Sequence, residues 1–206
     1  MNKKKLLIAT HNPAKLHELR ELLSDLSVDF VSLTEIGITE DIEENGKTYE
    51  ENSQSKARFY AKKSGIPAVS DDGGIEIVAL DFAPGIHSKR WLGENTTEDD
   101  LIAYMQKVAN ELPDDNRTAY FKVVLSFALP DGKVTSVSGE IKGIVAKEPF
   151  IQQRKGYPYR SFFFLPQLDK YYFESELSSQ EQQHYNHRVI AVEKLKPILK
   201  KELKLI

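Results

Sequence analysis

The sequence predicts a mixed α/β fold, a β-sheet with flanking helices. Three observations predict it. An apolar run, LLIA, is closed by a polar turn and a helix start. A second helix opens on the capping pattern TYEE. A long alternating segment folds back on Pro130, Asp131 and Gly132. The 206 residues, 40% apolar and 29% charged, suit one domain, 1–206, with one sizeable core.

Residues 6–9 are short, apolar and bounded by Thr10, His11 and Asn12, which reads as a buried first strand. Asn12 suits an N-cap and Pro13 the first helical position, and Leu16, Leu19, Leu23 and Leu26 then recur along one helical face. Thr48 with Glu51 three positions on predicts a capping box and a helix through about Lys63, stopped by Gly65 and Pro67. Two short strands are expected on either side of a tight turn at Asp71, Asp72, Gly73 and Gly74.

A third helix is expected from Thr97 to Asn110, with Glu98, Asp99 and Asp100 in the first turn, where the helix dipole favours them. The segment from Thr118 to Ala146 predicts a hairpin, and an irregular aromatic region follows. A last helix near His187–Leu203 contains Pro197, a source of a kink. There is no repeat, low-complexity tract or long linker.

The net charge of −3 gives no general attraction for a nucleic acid polymer. The absence of cysteine removes thiolate metal sites and thiol nucleophiles, and no two of the five histidines show the i, i+4 spacing of a helical zinc site. The opening apolar run is too short for a signal peptide or membrane span, so a cytoplasmic location and no membrane partner are expected.

Several segments bear on chemistry. A strand, polar turn and helix N-terminus is a natural seat for phosphate, with Lys15 adding charge, although Asn-Pro is also an ordinary helix start. Asn52 and Lys56 share a helical face beside Glu51, where they either meet a metal and a polyphosphate or face water. Asp71 and Asp72 repel unless a cation neutralises them, and Mg²⁺ completes its shell with one or two carboxylates, waters and phosphates. Gly73 and Gly74 allow close approach of phosphates, and the same four residues are also good turn chemistry with both carboxylates in solvent.

In order along the chain, THNPAK, YEENSQSKA, DDGGI, PGIHSKR and HYNHR resemble the motifs of the inosine triphosphate pyrophosphatase (HAM-like) family. The resemblance implies an elongated mixed sheet in two lobes around a central cleft, a homodimer, and Mg²⁺-dependent hydrolysis of ITP, dITP or XTP to the monophosphate and pyrophosphate. It assigns Asp72 as general base with Lys56 beside it, and Glu51 and Asp72 as Mg²⁺ ligands with Asp71 close by. Thr10, Asn12, Lys15 and Lys56 hold the phosphates, and Asn52, Gly73 and Arg90 occupy matching motif positions.

The base-reading end departs from the family pattern. G-F-G-Y-D-P appears as Gly156, Tyr157, Pro158, Tyr159, Arg160 and Ser161. Tyr157 is expected to stack on a base, with Tyr159 and Arg160 beside it, and Arg160 favours a keto or anionic edge. Gln182 stands where lysine is usual, while His187 and Arg188 keep the pair that recognises a 6-keto group. His11 replaces a glycine. These departures leave two alternatives: the same chemistry with an altered base preference, or a weakly active nucleotide-binding protein.

Overall fold

The computed structural model describes residues 3–205. Strand β1 (Lys4–Ile8) leads into helix α1 (Pro13–Leu22), whose N-cap Asn12 accepts from the N–H groups of Ala14 at 2.9 Å and Lys15 at 3.3 Å. Strand β2 (Val28–Ser32), not predicted, lies parallel to β1. Helix α2 (Tyr49–Ser64) starts at Thr48, whose hydroxyl accepts from Glu51 N–H at 3.1 Å, and stops at Gly65, φ 68°. The other half of the expected capping box is replaced: the Glu51 carboxylate accepts from Lys47 N–H at 2.6 Å.

The expected turn at Asp71–Gly74 is absent. Strand β3 (Ala68–Ile77) runs unbroken through all four residues, pairing parallel to β1 at its start. The glycines mark close approach instead: a Cβ on Gly74 would sit 2.1 Å from Ser88 Oγ and 2.6 Å from the Gly85 carbonyl. Helix α3 (Glu98–Glu111) carries a complete capping box between Thr97 and Asp100. Strands β4 (Thr118–Ala128) and β5 (Val134–Val145) form the expected hairpin around Gly132, φ 94°.

Short strands β6 (Phe163–Leu165) and β7 (Lys170–Tyr171), antiparallel to their neighbours, and helix α4 (Ser179–Tyr185) fill the region expected to be irregular. Helix α5 (His187–Glu202) contains Pro197. The sheet order is β2-β1-β3-β4-β5-β6-β7, so the predicted mixed sheet with helices is borne out. Among the described residues no helix is long and apolar enough to cross a membrane.

The chain divides into two compact units. Unit 1 comprises Met1–Asp72, Val123–Gly139 and Arg188–Ile206. Here alternate residues of β1 and β3 feed two different cores. Leu6, Ile8 and Val69 pack with Leu19 of α1, Leu23 just after it, and Leu195 and Leu199 of α5. Leu7, Ala9 and Ala68 pack with Ala57, Tyr60 and Ala61 of α2. A strand covered on both faces buries every side chain, in alternation, against a different helix layer.

Unit 2 comprises Gly73–Lys122 and Glu140–His187. Leu101, Met105 and Val108 are the buried stripe of α3. An aromatic cluster sits on the sheet, with Phe121 4.7 Å from Phe163 and 5.6 Å from Tyr172 between ring centres. The Arg117 guanidinium donates to the carbonyls of Ala109 at 2.7 Å and Leu112 at 3.0 Å, satisfying acceptors left by the end of α3.

Candidate functional site

The alternation of β3 decides what its adjacent aspartates can do. Asp71 takes the parity of Val69 and turns toward α1 and α5; Asp72 takes the parity of Ala68 and turns toward α2. Two neighbouring negative charges are thus separated onto opposite faces of the sheet, and each finds its own partners.

The Asp71 carboxylate, fully buried, has Oδ2 3.0 Å from Lys15 Nζ and 3.0 Å from Arg188 Nη2. Arg188, also buried, places Nη1 2.7 Å from Glu18 Oε2. Burial would raise the Asp71 pKa, but the Lys15, Arg188 and Lys56 charges outweigh it and hold the carboxyl well below the usual carboxylate range. This is a buried ion network joining α1, β3 and α5. The structure therefore pairs Asp71, expected close by the Mg²⁺ ligands, with Arg188, expected at the base.

On the other face, Asp72 Oδ2 accepts from Asn52 Nδ2 at 3.0 Å, and Oδ1 lies 3.9 Å from Lys56 Nζ. Lys56 also donates to Glu44 Oε1 at 2.6 Å. Asn52 Oδ1 accepts from Gly46 N–H at 2.8 Å, so one amide ties the loop before α2 to the aspartate. A Cβ on Gly46 would fall 2.6 Å from that Asn52 oxygen, which is why glycine stands there. Asn52 and Lys56 lie four residues apart on α2 and face inward together.

Burial raises the Asp72 pKa and Glu44 adds to it, against the opposing pull of Lys56. Burial penalises the Lys56 ammonium, yet Asp72, Glu44 and Asp71 together raise its pKa. The carboxylates Glu18, Glu44, Asp71 and Asp72 face three cations, Lys15, Lys56 and Arg188, which leaves negative charge in excess on the Asp72 side.

Among the described residues no three His, Asp or Glu side chains form a ligand cluster. The donor set that is present, two oxygen-bearing carboxylates beside an ammonium, fits a hard divalent cation completed by water and phosphate. Glu51, expected in that set, is exposed and holds Lys47 N–H, because a third residue of a helix turns its side chain back onto the cap. The carboxylate beside Lys56 is that of Glu44.

The start of α1 carries the remaining phosphate candidates. Thr10 Oγ1 accepts from Asn12 N–H at 3.2 Å, and the Asn12 side chain caps the helix. His11 Nε2 lies 3.1 Å from the Glu40 carbonyl and 3.3 Å from Tyr60 Oη. A histidine at this point thus ties the first turn to the loop that carries Glu44.

In unit 2 the expected base-reading residues are mostly occupied. Tyr159 donates its hydroxyl to the Ser88 carbonyl at 2.6 Å, and burial pushes its pKa up. His187 stacks on Phe121, ring centres 5.3 Å apart, with Nδ1 3.1 Å from Tyr172 Oη. Arg160, expected to present donors to a base edge, is buried and pairs with Glu174 at 3.3 Å. Gln182 Nε2 donates to the Leu177 carbonyl at 3.3 Å, and Arg90 pairs with Glu94 at 3.6 Å. Gly73, at the head of unit 2, and Tyr157 are half-buried.

The model of the Ham1 family matches residues 6–198. The chain belongs to the Ham1 family. It is 38% identical over 199 residues to a dITP/XTP pyrophosphatase of Bacillus subtilis (strain 168), covering 95% of this chain and 97% of that protein. A dITP/XTP pyrophosphatase of Coxiella burnetii is 35% identical over 94% of this chain and 96% of its own length. Among solved structures, a HAM1 protein from Coxiella burnetii superposes with a TM-score of 0.80 at 34% identity, covering 96% of this chain and 99% of that one. The Staphylococcus aureus Ham1 protein gives 0.78 at 29%, covering 97% and 100%.

The Ham1 match spans both aspartates, Lys56 and Arg188, and upholds the family resemblance drawn from the motifs. Within this Ham1 chain, Glu44, paired with Lys56, is a candidate that the motifs do not pick out. Its only local signal is the acidic run Glu40, Asp41, Glu43, Glu44 before a glycine, a composition that usually marks a solvated loop.

Proposed function

We propose that this chain hydrolyses non-canonical purine nucleoside triphosphates, dITP and XTP among them, to the nucleoside monophosphate and pyrophosphate. The observation that carries the reading is the buried Asp72 set among Asn52, Lys56 and Glu44 with negative charge in excess. Water adds to the α phosphorus, and the bond from that phosphorus to the oxygen bridging toward β breaks, so pyrophosphate leaves with the bridging oxygen.

Asp72 orients the attacking water and accepts its proton, while Asn52, donating to the other carboxylate oxygen, fixes the carboxylate plane. Lys56 and Lys15 place ammonium groups against the phosphate charge, and the start of α1, with Thr10 and Asn12, offers backbone N–H groups to an anion. Glu44 and Asp72 would hold Mg²⁺; when bound, the ion neutralises phosphate charge and acidifies a coordinated water. Tyr157 is assigned as the stacking surface for the base. The homodimer implied by the resemblance belongs to the same reading, and light scattering on the purified protein checks it.

Pyrophosphate release from ITP, dITP, XTP, dUTP, dTTP and ATP, with and without Mg²⁺, tests the reading. Rapid, Mg²⁺-dependent release from dITP and XTP is expected, with little from ATP. Faster release from dUTP or dTTP identifies an altered base preference, and nucleotide binding without release overturns hydrolysis. In Glu44→Gln the Mg²⁺ concentration giving half-maximal rate is expected to rise about tenfold or more, since one charge contact at a few ångström is worth on the order of 1 to 4 kcal/mol. An unchanged value removes Glu44 from the ion's shell.

A further inference from the structure

In unit 2, the loop from Arg154 to Arg160 carries an arrangement that the resemblance does not explain. The half-buried ring of Tyr157 faces two guanidinium groups, Arg160 at 4.0 Å and Arg154 at 5.4 Å from the ring centre. Both arginines pair with the same carboxylate, Glu174, just after β7: Arg160 Nη1 reaches Oε1 at 3.3 Å and Arg154 Nη1 reaches Oε2. Arg160 also lies over Tyr172, 5.0 Å from its ring centre. The backbone of the loop is tied separately, with Gly156 N–H shared between both oxygens of Glu98 at 2.8 and 3.0 Å.

A guanidinium within about 6 Å of an aromatic ring is attracted to its face, and a planar guanidinium stacks there. Two such cations on one ring repel each other, and one of them is buried. Glu174 removes that conflict: its two oxygens take one arginine each, so both remain against Tyr157. Without the carboxylate, Arg160 keeps a buried charge beside Arg154, and the pair separates. The tyrosine ring then loses the groups that fix its tilt.

We infer that Glu174 is a positioning residue for nucleoside recognition: by bridging Arg154 and Arg160 it holds the Tyr157 ring in the orientation that stacks a planar oxo-base. The inference rests on the proposed role of Tyr157 as the base surface. It also gives the departure from the family's loop motif a purpose, since the arginine that replaces an aspartate is part of the clasp.

Steady-state pyrophosphate release from dITP by the full chain with Mg²⁺ tests it. In Glu174→Gln, KM for dITP is expected to rise about fivefold, in line with lost cation–π support, with kcat within about twofold of wild type. Inhibition by IMP should weaken by a similar factor while inhibition by inorganic pyrophosphate, which has no base, stays unchanged. Glu174→Asp should restore KM to within about twofold, because it keeps the bridging charge.

Unchanged KM and unchanged IMP inhibition in Glu174→Gln, in a chain that turns over dITP normally, overturn the positioning role and leave the hydrolase reading intact. Equal weakening of IMP and pyrophosphate inhibition also overturns it, as general loosening. A wild-type chain that releases no pyrophosphate from any triphosphate removes the hydrolase reading and this inference with it. Should Glu174→Gln fail to fold, Arg154→Lys, which keeps the charge but loses the flat stacked fork, carries the same comparison.

Discussion

Replacing Asp72 by Asn is expected to lower kcat for pyrophosphate release by about 10²- to 10⁴-fold, the usual contribution of a positioned general base, while leaving the fold intact. The amide keeps a carbonyl oxygen for the Asn52 Nδ2 donor, so the hydrogen bond that holds the side chain survives. What disappears is a buried negative charge whose desolvation already works against it. The variant should therefore melt at the same temperature as wild type or slightly higher, the pattern expected where an active site is held at some cost to stability. Thermal denaturation and a pyrophosphate-release assay on one preparation decide it. Wild-type kcat in Asp72→Asn removes this residue from the base role.

The neighbouring substitution should do the reverse. Asp71→Asn is expected to destabilise the protein by about 3 to 5 kcal/mol, because it leaves Arg188 and Lys15 without their shared buried counter-charge. Glu18 retains one contact to Arg188, which keeps the loss from exceeding that range. Urea denaturation followed by the single tryptophan, Trp91, together with circular dichroism for unit 1, should show a lower midpoint with an unchanged slope. A midpoint equal to that of wild type removes the network from the forces that hold α1, β3 and α5 together.

Much of the fold is readable where local chemistry and periodicity agree. Asn12-Pro13 with four spaced leucines, Thr48 before α2, Thr97 with Asp100, and the alternation on either side of Gly132 each specify an element without tertiary help. The five residues of β2, three of them apolar, are interrupted by an exposed aspartate and form too short a run to signal a strand without the pairing to β1. Strands β6 and β7, of three and two residues, owe their form to pairing with neighbours rather than to their own composition.

The site was legible in part for the same reason. Asn52, Lys56 and Asp72 stand out because helical spacing and adjacent charges are visible in one dimension, and the structure brings these three together. The Asp-Asp-Gly-Gly stretch reads as a turn, since aspartate and glycine dominate turns and nothing local reveals that Ser88 needs a residue without a Cβ opposite it. Glu44 could not be picked out from its acidic neighbours, because its selection depends on Gly46 and Asn52 fastening one loop. Arg160 reads as a free donor until Glu174, fourteen positions on, is seen to claim it.

The unbroken course of β3 makes residue count as important as residue identity. Deleting one position between Ala68 and Asp72 would swap the destinations of the two aspartates, giving the supporting acid the reactive neighbourhood and the reactive acid the supporting one. Point changes along this strand can be graded by size and charge. A change of length has no mild version.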